Sequence, residues 1–267
     1  MGQTFYGQMF RLEGKESEVE AGEIPAFRLL RGKPGVLAKL PMPKQEFALD
    51  LRGSEADDGT LDEIGRFTQL RLLILDVSSV TDAGLKKLAK LDKLRAVDFF
   101  GTPIADAGVK ELAALPHVES LGLGATRITD AGVKDLARMQ KLHTLSLYLT
   151  KVTDEGVKDL AAAGRLHSLQ LGKTDVTDTA LKELSGLKHL KRLDVSGTNV
   201  TDAGIKEIAR LQHLQVLDVS KTKISDAGLK EIAQCKSLRR LHLVGDEVTT
   251  GAVRDLQRAR PDLEIYR

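Results

Sequence analysis

The chain has 267 residues, and its 40 Lys and Arg nearly balance its 38 Asp and Glu. This balance gives no global field that favours nucleic acid or an anionic membrane surface. The single cysteine, Cys235, excludes an intrachain disulfide, and no apolar run is long enough to predict a membrane span.

Residues 1–45 do not share the pattern of the rest of the chain, and they contain four of its seven prolines. Pro and Gly divide this segment into turns and short edge strands. We expect an N-terminal cap that covers the open edge of a sheet, or a small flanking module. The segment lacks a basic stretch followed by an apolar run, so it predicts no secretory signal and, if Met1 is the native start, a cytoplasmic protein.

From residue 46 to residue 267 the sequence repeats every 24 residues without a gap. Nine repeats begin at residues 46, 70, 94, 118, 142, 166, 190, 214 and 238, and a terminal strand follows around Ile265. A strict period of this length predicts a solenoid, in which each unit buries its apolar face only against its neighbours.

Each repeat changes its hydrophobic period halfway. Apolar residues alternate by two from Leu214 to Val219, as in a strand with one buried face. From Thr201 to Leu211 they follow a helical stripe, and Thr201 is placed to cap that helix. The repeat therefore predicts an α/β fold of stacked parallel strands on one side and short helices on the other.

The repeat resembles the leucine-rich repeat family. Its consensus is L-x-x-L-x-L-x-x-T-x-[IV]-T-D-A-G-[LIV]-K-x-[LI]-A-x-L. It looks most like the bacterial 24-residue type with T-D-x-G-L, which is itself similar to the repeats of F-box adaptor proteins. The resemblance implies a solenoid of horseshoe or arc shape, with a parallel sheet on the concave face and helices on the convex face. It implies protein binding on the concave sheet and transfers no catalytic residue.

Three regular features of the repeats have structural interpretations. Thr residues such as Thr174 stand where the family usually has Asn, and we expect their hydroxyls to bond to the next coil. Each helix carries an Asp four residues before a Lys, as in Asp178 and Lys182, which predicts solvated ion pairs rather than an anion-binding stripe. Cys235 falls in a column of core residues, which favours a buried thiol over a nucleophile.

The outward strand positions differ from repeat to repeat, so we expect specific function to reside there. Phe100 and Tyr148 fall two strands apart, roughly 10 Å, with only the small residues Gly122, Gly124 and Ala125 between them. This spacing predicts two aromatic walls around a notch that holds a partner's side chain. The alternative is that the N-terminal segment or a neighbouring loop fills the notch.

Farther along, the predicted concave face becomes basic. The complete set of predicted partner-binding residues is Asp98, Phe100, Tyr148, Leu149, Gln170, Arg192, Asp194, Asp218, Arg239, Arg240 and His242. Within it we expect Phe100, Tyr148 and Leu149 to serve as apolar anchors, and the three arginines to read acidic groups. Asp194, Asp218 and His242 also align on successive strands, where a metal site competes with a salt-bridged polar face, and we favour the latter.

These features predict a non-enzymatic scaffold that binds a protein or peptide, without cofactor, metal, nucleic acid or membrane. It is expected to be a monomer or a weak homodimer through its C-terminal edge. The alternative is an adaptor or effector subunit, F-box-like or secreted, whose repeats select a target while residues 1–45 recruit a second protein.

Overall fold

The computed structural model describes residues 25–28, 35, 37–245 and 247–267. The chain forms two compact units, residues 1–127 and 128–267. In each unit short parallel strands alternate along the chain with short helices. The predicted α/β solenoid is confirmed.

The described part of the first unit contains five strands that pair in parallel and in sequence order. They are β1 (Ala26–Arg28), β2 (Phe47–Asp50), β3 (Leu70–Ile74), β4 (Ala96–Asp98) and β5 (Ser120–Gly122). The α-helices are α1 (Asp58–Ile64), α2 (Asp82–Leu85) and α3 (Asp106–Ala113). Two 3-10 helices, Leu37–Lys39 and Lys86–Lys90, complete this part.

The described part of the second unit contains six strands with the same arrangement. They are β6 (Thr144–Ser146), β7 (Ser168–Gln170), β8 (Arg192–Asp194), β9 (Val216–Asp218), β10 (Arg240–His242) and β11 (Glu264–Tyr266). The helices are α4 (Asp130–Leu136), α5 (Asp154–Ala163), α6 (Asp178–Leu184), α7 (Asp202–Ile208), α8 (Asp226–Ile232) and α9 (Thr250–Ala259).

Strand pairing follows the 24-residue period of the sequence. Leu145 pairs with Leu169, which pairs with Leu193 on the next strand. These leucines are at most 2% exposed, and the helix residues Leu181 and Leu184 are buried equally well. The apolar core therefore lies between the strands and the helices, as the two hydrophobic periods predict.

The N-terminal segment adds strand β1, which pairs with β2. Most of residues 1–45 lie outside the described part of the chain, so the predicted boundary at residues 45 and 46 stays a prediction. The same holds for the choice between a cap and a flanking module.

The Asp at the T-D-x-G tetrad position joins one coil to the next, and Asp178 is an example. Asp178 accepts the backbone N–H of Thr201 at 2.8 Å through Oδ1 and its hydroxyl at 2.7 Å through Oδ2. The Thr201 oxygen in turn accepts the N–H of Ala203 at the start of α7. A Cβ on Gly204 would lie 2.4 Å from Asp178 Oδ1, so the glycine gives the carboxylate room to approach.

These carboxylates were predicted to pair with the Lys four residues later. The structure shows that they bond to the next coil, and for Asp226 the hydrogen bonds from Thr249 and, less strongly, the charge of Lys230 lower the pKa. The same pair of bonds links Asp130 to Thr153, Asp154 to Thr177, Asp202 to Ser225 and Asp226 to Thr249 in the second unit, and Asp58 to Thr81 in the first. A fixed N–H and hydroxyl offer a carboxylate stronger bonds than a solvated Lys, whose ion pair contributes only about 0.3–0.5 kcal/mol.

The threonines in the Asn position also behave differently from the prediction. Thr174 donates its hydroxyl to the carbonyl of Leu171 at 2.5 Å, and Thr198 donates to Val195 in the same way. These bonds close the turn within one coil rather than reaching the next. The hydroxyl is shorter than an Asn side chain, so it meets a carbonyl of its own turn; the Leu171 carbonyl also accepts the Thr174 N–H at 3.3 Å.

Candidate functional site

Phe100 follows β4 on the outward side of the first unit and is 37% exposed. Its backbone N–H donates to Asp98 Oδ1 at 3.1 Å, so the carboxylate fixes the turn that presents the ring. The same Oδ1 lies 2.2 Å from the point where a Gly122 Cβ would stand. The space above Gly122, predicted to be an open notch floor, is therefore occupied by Asp98.

Three carboxylates, Asp50, Asp76 and Asp98, lie close to Arg52 beside Phe100, and only Asp98 was among the predicted site residues. Asp50 is buried and pairs with Arg52 at 2.7 Å, whereas Asp76 Oδ1 is buried without a hydrogen-bond partner. Burial, together with the charge of Asp98, raises the pKa of Asp76 to about 7. Burial also raises the pKa of Asp98 to about 6, against the hydrogen bond from the Phe100 N–H.

Part of the outward face in the first unit is apolar and buried. Ala48, Leu72, Ile74 and Ala96 form a cluster with Ala26, and all are at most 8% exposed. The prediction that outward strand positions are surface positions is wrong for these residues. The alternation of apolar residues in Leu70–Ile74 is broken because both faces of this strand are buried.

Tyr148 and Leu149 follow β6 in the second unit. The Tyr148 ring lies against Gly172, where a Cβ would stand 2.9 Å from Tyr148 Cδ2. Lys173 Nζ lies 5.4 Å from the centre of the Tyr148 ring, within the range of a cation–π interaction. The hydrogen bond with Tyr148 raises the pKa of Lys173. Tyr148 is thus held half-buried, while the adjacent Leu149 is 48% exposed.

Leu149 has a left-handed backbone conformation, with φ of 56°. The residue at the same repeat position has positive φ in every repeat, at residues 53, 77, 101, 125, 149, 173, 197, 221 and 245. The sequence places glycine at four of these positions, including Gly197 and Gly245. Leu149 therefore holds an exposed apolar side chain where the backbone favours glycine.

Asp194 and Asp218 each accept a backbone N–H from the turn that follows their own strand. Asp194 Oδ1 accepts the Ser196 N–H at 2.8 Å, and Asp218 Oδ1 accepts the Ser220 N–H at 2.9 Å. Burial raises the pKa of Asp194, opposed by the bonds from Ser196. Gln170, on the preceding strand β7, is half-buried. Both carboxylates therefore hold the turns that follow their own strands, and Asp194 does so next to Gly172, on which Tyr148 rests.

The basic residues of the predicted site divide into two groups. Arg192 on β8 is exposed. Arg239 pairs with Asp262 at 3.1 Å and Arg240 with Glu264 at 3.0 Å, so both are already matched to carboxylates of the terminal segment. The hypothesis that all three arginines read acidic groups of a partner is therefore weakened for these two.

The choice between a metal site and a salt-bridged polar face at Asp194, Asp218 and His242 stays a prediction. His242 stacks on Tyr266 with ring centres 4.7 Å apart. No group of three or more His, Cys, Asp or Glu that could hold a metal occurs among the described residues. Cys235 is buried, and burial raises the pKa of its thiol to about 11, which disfavours the reactive thiolate.

Phe100 and Tyr148 lie in different compact units, so the aromatic notch that combines them stays a prediction. Within the second unit, the half-buried Tyr148 lies next to the exposed Leu149 and Lys173, and we call these three residues the Tyr148 patch. Across the described part of the chain, no helix has the length and apolar composition needed to cross a membrane.

Comparisons with known proteins agree with the repeat and the fold. Residues 138–161, 186–209 and 210–233 each match a family model described as Leucine Rich repeat. A search of the curated proteins gives no match.

Solved structures of bacterial proteins share the architecture. An internalin (inlF) from Listeria monocytogenes is 19% identical, with a TM-score of 0.56 over 83% of this chain and 79% of that chain. Internalin C2 (inlC2) from the same organism is 25% identical, with a TM-score of 0.58 over 79% and 83%. A leucine-rich repeat protein from Leptospira interrogans is 20% identical, with a TM-score of 0.57 over 92% of this chain and 65% of that chain. The three matched segments are leucine-rich repeats, and the solved structures share the fold of the chain.

Proposed function

We propose that the chain is a non-enzymatic recognition scaffold that binds a protein or peptide through the outward ends of its strands. Leucine-rich repeat proteins generally act as protein-interaction scaffolds, which supports the class of function. The observation that carries the proposal is Leu149, an apolar side chain that is 48% exposed on a left-handed backbone.

The conformation of Leu149 is costly for the isolated chain. A left-handed conformation costs an L-residue with a side chain roughly 1–2 kcal/mol. The exposed side chain of Leu149 gains no burial energy that would offset this cost. Gly197 and Gly245 show that the repeat accepts glycine at the same position. Leu149 destabilises its own coil, and its presence is explained if its side chain becomes buried against a partner.

The surroundings of Leu149 define the chemistry of the partner. Tyr148 supplies a rigid ring that rests on Gly172, and rigid aromatic groups lose little entropy on binding. Lys173 and Arg192 are exposed cations on the following coils. The Tyr148 patch therefore suits a polypeptide with an apolar anchor residue next to an acidic one. Gln170, Asp194 and Asp218 would support this surface, and Phe100 with Asp98 would offer a separate contact in the first unit.

The test separates binding from folding. Peptides that bind the immobilised chain are selected from a displayed random library and then titrated against variants by fluorescence anisotropy. Leu149→Gly relieves the left-handed strain, so we expect it to raise the melting temperature. We also expect it to weaken binding of the selected peptides by about tenfold or more, because an interface anchor contributes about 1–3 kcal/mol.

Lys221→Gly is the matched control, since Lys221 has the same repeat position and a φ of 55°. It should stabilise the fold equally and leave peptide binding unchanged. Tyr148→Ala should weaken binding like Leu149→Gly. If no peptide is selected, or if the selected peptides bind Leu149→Gly and Tyr148→Ala as tightly as the native chain, the proposal is wrong.

The adaptor alternative depends on residues 1–45, most of which lie outside the described part of the chain. No contact of the described residues favours it over a simple scaffold.

A further inference from the structure

A row of three histidines lies on the second unit, away from the Tyr148 patch. His143 and His167 come immediately before β6 and β7, and His189 precedes β8 by three residues. The ring centres of His143 and His167 are 5.1 Å apart, in an edge-to-face arrangement. Those of His167 and His189 are 6.0 Å apart and nearly parallel. The rings thus form a continuous row across three successive coils.

The backbone fixes the position of this row. The His167 N–H donates to the His143 carbonyl at 2.7 Å, and Lys191 donates to the His167 carbonyl at 2.8 Å. His167 Nδ1 lies 2.9 Å from the Arg165 carbonyl, which can only accept, so Nδ1 carries the proton. In the neutral ring, Nε2 of His167 is therefore the nitrogen that can take up a second proton.

The charged groups that act on His167 are cationic. His143, Lys191 and His189 are the charged groups that act on His167, and all three lower its pKa in addition to the larger effect of burial. Arg165 and Lys188 are exposed nearby in the chain, and His213 takes the place of His189 one coil later. Glu119, which has the same repeat position as His143 one coil earlier, pairs with Arg95 in the first unit.

We propose that this histidine row is a binding surface for an acidic polypeptide segment, and that its affinity increases as the pH falls from neutral to mildly acidic. The three imidazoles supply protonatable hydrogen-bond donors, and Lys191, Arg165 and Lys188 supply permanent charge. Carboxylates of the ligand would bridge neighbouring rings and so relieve the repulsion between protonated imidazoles, which is about 0.8 kcal/mol per pair at this spacing in water. The surface is separate from the one in the proposed function and does not depend on it.

The direction of the pH dependence follows from proton linkage. A bound carboxylate favours the protonated form of an imidazole. The complex therefore takes up protons as it forms, and binding strengthens as the pH falls. Each imidazole whose pKa rises by one unit on binding contributes about tenfold, so we expect roughly 10- to 100-fold tighter binding at pH 5.5 than at pH 7.5. Glutamate side chains, with a pKa of about 4.3, remain ionised over this range.

The experiment uses a fluorescein-labelled deca-glutamate peptide and the full chain, titrated by anisotropy at pH 7.5 and 5.5 in low salt. The triple variant His143→Gln, His167→Gln, His189→Gln should lose the increase in affinity at pH 5.5. His117→Gln is the matched control, because His117 has the same repeat position as His189 in the first unit. It should keep the increase. Circular dichroism of each variant verifies that the fold is retained.

Two further measurements test whether the three histidines take up protons on binding and whether the ligand must be a polypeptide. Histidine ring proton shifts, followed by NMR during a pH titration, should give higher pKa values for the three rings when the peptide is present. A fluorescein-labelled oligothymidylate of equal charge should bind at least tenfold more weakly. Binding that does not depend on pH, an unaffected triple variant, unchanged ring pKa values or equal binding of the oligonucleotide would each overturn the proposal.

Discussion

The Asp that joins neighbouring coils gives the sharpest test of what holds the repeats together. Asp178→Ala removes both acceptors of Thr201, the backbone N–H at 2.8 Å and the hydroxyl at 2.7 Å. It also frees the Thr201 hydroxyl, which the carboxylate orients so that its oxygen accepts the Ala203 N–H.

Each hydrogen bond to a charged group contributes roughly 1.5–3 kcal/mol, and the lower value applies because Asp178 is half-exposed. Two bonds therefore predict a loss of about 2–3 kcal/mol in the free energy of unfolding. For a chain of this size, that loss lowers the melting temperature by roughly 5–10 °C. Asp178→Asn should lose about half as much, since an amide can still accept the N–H and donate to the hydroxyl oxygen.

Urea titration followed by circular dichroism measures the loss, and hydrogen exchange of the Thr201 amide shows where it occurs. The matched variant is Lys182→Ala, which removes the Lys that the sequence pairs with Asp178. It should cost no more than about 0.5 kcal/mol. If Asp178→Ala costs no more than Lys182→Ala, or if the Thr201 amide exchanges at the native rate, the coil-to-coil role of this carboxylate is refuted.

Three further substitutions test other features of the structure. Val77→Gly should stabilise the chain by about 0.5–1 kcal/mol in a thermal melt, because a β-branched residue that is 68% exposed holds φ of 57° there. Asp76→Asn should stabilise the chain at pH 8 by about 1–2 kcal/mol, after allowance for partial exposure, and much less at pH 5. Burial and Asp98 raise the pKa of Asp76 to about 7, so the native chain loses stability as the pH rises toward that value, and urea titrations at both pH values measure the difference. Arg260→Met should cost about 2–4 kcal/mol by urea titration, because the buried guanidinium donates to two backbone carbonyls at 2.8 Å each, and Arg260→Lys should restore only part of the loss.

The fold could be predicted because each repeat contains within itself the hydrophobic patterns of its strand and its helix. The alternation from Leu214 to Val219 and the stripe from Ile205 to Leu211 each depend only on which side of a strand or helix is buried. Copies at a fixed period then define the strand register, and Leu169 pairs as that period requires.

The site was harder to predict because its contacts cross from one coil to another. The spacing of Asp178 and Lys182 suggests a local ion pair, yet Asp178 bonds to Thr201 in the next coil. The recurrent glycine of T-D-x-G was the available signal, since Gly204 leaves room for that carboxylate. The partner of Arg240 could not be identified from its own repeat, because Glu264 lies one period later, in the terminal strand.

The exposure of the outward residues was predicted correctly for some and wrongly for others, because it also depends on contacts between coils. An outward position is exposed only if nothing covers it, and Ile74 is buried whereas Leu149 is not. The repeat position of Leu149 holds glycine in four of the nine repeats, which was a usable sign of an unusual backbone.

The recurring left-handed residue has a consequence for how such a surface changes during evolution. Its backbone N–H is engaged with the following coil, from Leu149 to Gly172 and from Lys173 to Ser196, so the main chain there is fixed whatever the side chain. A substitution at such a position changes the surface that a binding partner contacts, and it does not disturb the stacking of the coils. Recognition can therefore be revised one coil at a time, at a small and roughly constant cost in stability for each residue that replaces glycine.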